Sequence, residues 1–370
     1  MAGVMRLFSN LDKATVIAFA CILLLLFLGA LYDPNFLSTD YLLQQLLTAS
    51  FLGVMATGMM LVILLGHIDL SIPWTITMGA MMATAATGFF GDSLGYGLAI
   101  PFGIFAGVCV GFINGLGVAY LRAPSMIFTL GMNAVAQGLM VFHTGGFSPQ
   151  DAVTPFMRQV VVGHIIPGVA NPVLIWAVLG IVTVFVLTRT SLGRQIYAIG
   201  NRERAVFLSG VDTRRVLVIC FVISGACAAF AGVLLAGWSN RSYQAMGDPY
   251  LLPTIAAVVL GGTNVLGGRG TYLGTVAGVI LITLLQSILS VVQPQYMLAA
   301  MGLKVPPESI REVVFGMVIV GMMLLYGRER LVREGFLAFA ALTHSVGPHI
   351  FRANPRALGS TSRRFVSENR

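Results

Sequence analysis

Long apolar runs, one after another, decide what this chain is able to become. A stretch of about twenty residues without charge is long enough to cross the hydrocarbon core of a bilayer as a helix. Such runs fall at roughly 14–31, 42–65, 71–90, 96–121, 125–143, 172–188, 214–238, 251–267, 271–292 and 311–326. They predict an all-α integral membrane protein with about ten transmembrane helices. Composition agrees. Hydrophobic residues make up 57% of the chain and charged residues 10%, against about 25% charged in a soluble domain. So little charge could not cover a water-facing surface. The first run follows Arg6 and Lys13 and is longer than the apolar part of a signal peptide, so an uncleaved first span is expected.

The formal net charge is +8, and nearly all of the basic residues are arginine. Their placement argues for topology rather than for nucleic-acid binding. Arg189, Arg194, Arg202, Arg204, Arg214 and Arg215 cluster in one connection. Arg122 and Arg269 mark two others, and the segment from Arg328 onward holds many more. The alternate connections, 32–41, 91–95, 144–171, 239–250 and 293–310, hold few. An even number of spans with both termini cytoplasmic satisfies this pattern. Residues 1–335 are then expected to form a transmembrane domain and 336–370 a basic cytoplasmic tail, partly disordered. Cys21, Cys109, Cys220 and Cys227 all lie inside apolar runs, without a CxxC or a histidine cluster. They read as buried helix residues.

No phosphate-binding loop of the GxxxxGK[ST] kind is present; the nearest string, Gly267-Gly268-Arg269-Gly270-Thr271, lacks both the lysine and the spacing. No HExxH occurs. The chain is therefore expected to be no enzyme and to hold neither metal nor cofactor. Two glycine-rich interruptions stand out instead. In the first, His67 and Asp69 lie between Gly66 and Pro73, where a helix should break. Asp69 there has two readings: a cap that fixes the break, or a proton or cation site of a secondary transporter. The second runs through Gly261, Gly262, Thr263, Gly267 and Gly268 and echoes the first, which suggests two repeat-like halves with broken helices in corresponding places.

Polar side chains within the fourth and fifth runs, Asn114, Thr129, Asn133 and Gln137, either line a polar pathway or link helices. Phe128 beside them either stacks on a sugar or packs. Gly103, Gly107, Gly111 and Gly115, and again Gly270, Gly274 and Gly278, recur at every fourth residue, so each set lies on one helix face where backbones approach closely. The long charged connection 191–212 is unusual among short ones. Its Arg202–Leu208 part fits a short amphipathic helix lying in the membrane plane, which a soluble partner could grip.

Four ordered strings carry a resemblance. Gly66–Ile72 resembles a GGIDLSVG string, with His67 in place of a glycine. Asn114-Gly115 and Pro124–Gly131 resemble an NG…PSFI-TLG string, Gly193–Val211 a GR-YAIG-N…LSGI string, and Ala256–Gly278 an AAVVLGGT…GG-G…GT--G string. Over roughly 40–330 the chain resembles the membrane permease subunits of ribose-type monosaccharide ABC importers. The resemblance implies a second permease subunit, identical or a sister, in the bacterial inner membrane. It implies a cytoplasmic ATPase that binds ATP and Mg, and a periplasmic sugar-binding protein. It also implies that Glu203, Arg204, Ala205, Leu208 and Gly210 form the segment that couples to the ATPase. The glutamate stands one position earlier than in ABC permeases generally. Related permeases move nucleosides or branched-chain amino acids, the principal alternative; a proton-coupled transporter and a non-transporting scaffold are more distant ones.

Overall fold

The computed structural model describes residues 13–292, except 148 and 150, together with scattered positions between 309 and 320. The described residues are helical throughout, without a strand. In chain order the helices are α1 (Lys13–Tyr32), α2 (Thr39–Leu64), α3 (Ile72–Ala119), α4 (Ser125–His143), α5 (Pro155–Val162), α6 (Asn171–Arg189), α7 (Ser191–Leu208), α8 (Thr213–Ser239), α9 (Leu251–Leu260) and α10 (Tyr272–Val292). Seven of them are long and apolar enough to cross a membrane.

Local chemistry sets the ends. Asp33 accepts from the Asn35 backbone N–H at 2.9 Å and turns the chain after α1. Ser38 accepts from the Tyr41 N–H at 3.3 Å and starts α2. α3 has 48 residues, about 72 Å of helix at the usual rise and more than twice a hydrocarbon core. It folds back on itself at Gly91, whose φ of 75° is left-handed. Beyond that point Gly103 lies against the Gly79 carbonyl and the Ala83 methyl. The third and fourth runs thus form two antiparallel halves joined by one residue, where the sequence had suggested a short loop.

The eighth run differs more. Only α9, 10 residues long, is helical. At about 15 Å it cannot cross a bilayer alone. The Gly261–Gly270 segment ends it with turns that use positive φ at Gly262 (92°) and Gly267 (87°). The 144–171 connection contains the short helix α5, which its polar composition had hidden. The tenth run beyond its scattered positions, and the 336–370 tail, lie outside the described residues.

α2 is the central helix: every side chain from Ala49 to Leu64 is buried. The most extensive packing joins α3 to α8, and the first glycine stripe makes it. Gly107 faces the Gly225 carbonyl and Ala229, Gly111 faces the Phe221 carbonyl, and Gly115 faces the Val218 Cα. Gly274 and Gly278 of the second set close α10 onto α9 in the same way, against Gly261 and Ala257, whereas Gly270 precedes α10 and lies against Thr263, off that helix face. Without side chains between them, backbones approach far enough for dispersion to hold helices that lipid would otherwise solvate equally well.

Candidate functional site

The two helix breaks meet. The Gly268 N–H donates to the Leu64 carbonyl at 2.9 Å, tying the second break to the end of α2. Gly66 (φ 82°) lies against the Leu266 carbonyl, and Gly267 against Gly66 and Leu64. α7 clamps the junction from a third side. Gly200 fits against the Leu64 carbonyl and Gly268, the Tyr197 hydroxyl donates to the Gly270 carbonyl at 2.8 Å, and the Asn201 amide reaches the Gly268 carbonyl at 3.4 Å. Burial raises the Tyr197 phenol above its usual range, so it remains a donor. Gly261, Gly267, Gly268 and Thr263 are buried and Gly262 is half-buried. Asn264 stabilises the turn from within, accepting from the Leu266 N–H at 3.1 Å and donating to the Gly267 carbonyl at 3.2 Å.

Asp69 anchors the first break. It is 1% exposed. One oxygen accepts from the Ser71 N–H at 3.0 Å and the Ser71 hydroxyl at 2.6 Å, with the Asn114 amide at 3.5 Å. The other accepts from Ser224 of α8 at 3.0 Å. The Asn114 amide also donates to the Ser71 hydroxyl at 2.8 Å. Among the described residues Asn114 Oδ1 has no partner. Neutral donors therefore reach the carboxylate from three elements and link the break to α3 and α8; the N-cap residue of α3 is Ser71, whose own side chain makes no capping bond.

α4 completes the break. Helix breaks leave backbone N–H groups without partners, and in lipid each such group is costly. Ser125, Thr129 and Asn133 stand at intervals of four on one face of α4. Their oxygens accept from the N–H groups of Ile68 at 3.4 Å, Leu70 at 2.9 Å and Trp74 at 3.2 Å. Thr129 is fully buried and Asn133 half-buried. The Phe128 ring packs over Gly117 of α3. Gln137, one turn beyond Asn133 on the same face, is exposed. Of the five candidate pathway residues, Asn114, Thr129 and Asn133 thus hold the break, Phe128 packs between helices, and Gln137 faces outward.

The charged segment lies beside this junction. α7 begins at Ser191, earlier than the Arg202–Leu208 helix read from sequence, and is interrupted at Arg202 (φ −157°, ψ 88°). Beyond the kink Arg204, Ala205, Phe207, Leu208 and Gly210 are exposed, Leu208 by 84%. Gly210 turns the chain with φ 84° and open space around it. Glu203 alone among the coupling candidates reaches back into the protein. Its carboxylate pairs with Arg122 at 2.8 Å and accepts from the Thr213 hydroxyl at 3.2 Å. His67 stands near this pair. Burial holds its imidazole below the usual range, the Glu203 carboxylate opposing and the Arg122 guanidinium reinforcing that effect. Sequence reading missed the roles of Arg122, Ser125, Ser71, Ser224, Tyr197 and Asn201. Only Ser125 left a trace, the four-residue interval it shares with Thr129 and Asn133.

Apolar spanning helices, two broken helices meeting at the arginine-rich end, and a kinked polar helix exposed beside them make up a membrane transport subunit. The chain belongs to the family described as branched-chain amino acid transport system / permease component, whose model matches residues 41–323. It is 30% identical over 279 residues to the ribose import permease protein RbsC of Haemophilus influenzae, covering 74% of this chain and 84% of that protein. It is 29% identical over 326 residues to the autoinducer 2 import system permease protein LsrC of Salmonella typhi, covering 87% of each. The Escherichia coli K12 ribose import permease RbsC matches at 30% over 269 residues, 72% of this chain and 83% of that protein. No solved structure matches. The chain is thus a permease component rather than an enzyme.

Proposed function

We propose that this permease is the membrane-spanning subunit of an ATP-driven importer that passes a monosaccharide of the pentose or hexose class, delivered by a periplasmic binding protein. In this reading it crosses the bacterial inner membrane about ten times, the eighth crossing made by α9 together with the 261–270 turns packed against α2 and α7, in two repeat-like halves and with both termini cytoplasmic. It pairs with a second permease subunit, and ATP and Mg are bound by a cytoplasmic ATPase. The observation that carries the reading is α7: a polar, kinked helix that leaves Phe207 and Leu208 exposed while its first half clamps both helix breaks. A partner that grips the exposed half gains leverage on the interior. The ribose named for two of the relatives supports a sugar cargo.

The test is reconstitution in vesicles with the ATPase and binding protein, scoring ATP-dependent uptake of labelled pentoses and hexoses. Gly210→Arg is expected to abolish sugar-stimulated ATP hydrolysis while membrane insertion persists, because the space around Gly210 is open and only its left-handed backbone is strained. Normal coupling in that variant would sink the assigned role. The family description favours one second reading, a branched-chain amino acid as cargo, to which the sequence resemblance adds a nucleoside. Competition of sugar uptake by unlabelled leucine or adenosine separates the two. A proton-driven mechanism through Asp69 gains no support from a carboxylate whose oxygens already accept from neutral donors.

A further inference from the structure

The turn between α3 and α4 carries a backbone conformation that its residue does not favour. Arg122 has φ 54°, the left-handed region where glycine is accommodated freely and a side chain costs about 1–2 kcal/mol. A charged residue held there is justified by what its side chain does, and this one pairs with Glu203 at 2.8 Å. The turn is held twice more. The Arg214 guanidinium of α8 lies over the Tyr120 ring, 5.4 Å from its centre. Thr213, at the start of α8, donates to the same Glu203 oxygen that Arg122 reaches.

What lies on either side of the pair gives it a direction. On one side is the half of α7 beyond the Arg202 kink, which leaves Phe207 and Leu208 exposed. On the other, two residues past Arg122, is Pro124 and the start of α4. That helix carries Ser125, Thr129 and Asn133, whose oxygens hold the free N–H groups of Ile68, Leu70 and Trp74. A displacement of the 203–210 segment therefore has a short, bonded route to α4 and through it to the first break.

The geometry points to Arg122 and Glu203 as positioning residues, a strut that carries movement of the 203–210 segment into α4 and the 66–74 break. It rests on the reading of that segment as the ATPase contact. In the isolated chain the pair is half open, with 53% and 31% of the two side chains exposed, and an open ion pair is weak. A partner seated on the neighbouring exposed surface would exclude water and salt from it and strengthen it. The strut is thus firm only when the complex is assembled. A static brace would need no such condition.

The experiment uses the whole complex in lipid vesicles with Arg122→Gly, Arg122→Lys, Glu203→Gln and the swap Arg122→Glu with Glu203→Arg. Arg122→Gly relieves the backbone, so its melting temperature should equal or exceed that of the wild type. The ATPase should still co-purify with it. Sugar transported per ATP hydrolysed should nevertheless fall on the order of 10-fold, the scale of a typical coupling between sites. Glu203→Gln should fall similarly, Arg122→Lys should keep most of the coupling, and the swap should restore it. Wild-type coupling in Arg122→Gly overturns the strut. So does loss of the ATPase from that variant, which would make Arg122 a docking contact, and so does a swap that restores nothing. Failure of the underlying reading looks different: Leu208→Asp would then leave ATPase assembly untouched, and the strut would fall with it.

Discussion

Asp69 shows how a single residue can resemble a catalytic or ion-coupling group and serve as a fastener. A buried charge is tolerated when hydrogen bonds replace its hydration, and here two oxygens accept from the first break and from α8, with Asn114 of α3 close by. Asp69→Ala should leave buried donors without an acceptor, at about 1–3 kcal/mol each, and should lower the melting temperature of the purified protein markedly. Asp69→Asn keeps an accepting oxygen and should be milder. If the two variants melt alike, the carboxylate is not the fastener. His67 gives a pH dependence of known sign. Its imidazole is held below the usual range by burial, so the unfolded chain binds a proton from about pH 6.5 downward before the folded one does. Its contribution is fully present above that pH and declines as the pH falls from there toward the folded value. His67→Gln should remove this decline, read as a smaller loss of melting temperature between pH 7 and pH 5. An unchanged pH profile in the variant would assign the decline to other groups.

Helices meet here through glycine, and the cost of filling that space depends on what stands opposite. Gly111→Ala drives a methyl into the Phe221 carbonyl. Overpacking of that kind costs about 1–3 kcal/mol, and the α3–α8 contact should loosen. Gly91→Ala meets nothing within 4 Å and bears only the strain of its positive φ, about 1 kcal/mol. Thermal melts of the two variants should rank them in that order; the reverse ranking would contradict the packing. The stripes were legible in the sequence because their interval of four residues is a property of one helix. Which helix each stripe meets was not, since α3 and α8 are separated by about a hundred residues of chain.

For the whole molecule, the proposed orientation puts the arginine-rich connections on the cytoplasmic side. In a variant without the native cysteines, a cysteine at Ser209 should react with an impermeant reagent only from the cytoplasmic side, and one at Gln159 of α5 only from the opposite side. Labelling of both from one side would overturn the orientation. The sequence by itself determined that this is a helical membrane protein, where most of its spans begin and end, and that two helices break at glycine-rich segments. Those are local facts, set by the thickness of hydrocarbon and by the backbone's need for hydrogen bonds. Only the tertiary structure decided that the two breaks touch, that Thr129 and Asn133 cap one of them, and that Arg122 reaches Glu203. Each of those pairs residues tens to hundreds of positions apart, and no periodicity along the chain records which distant donor a given acceptor will meet.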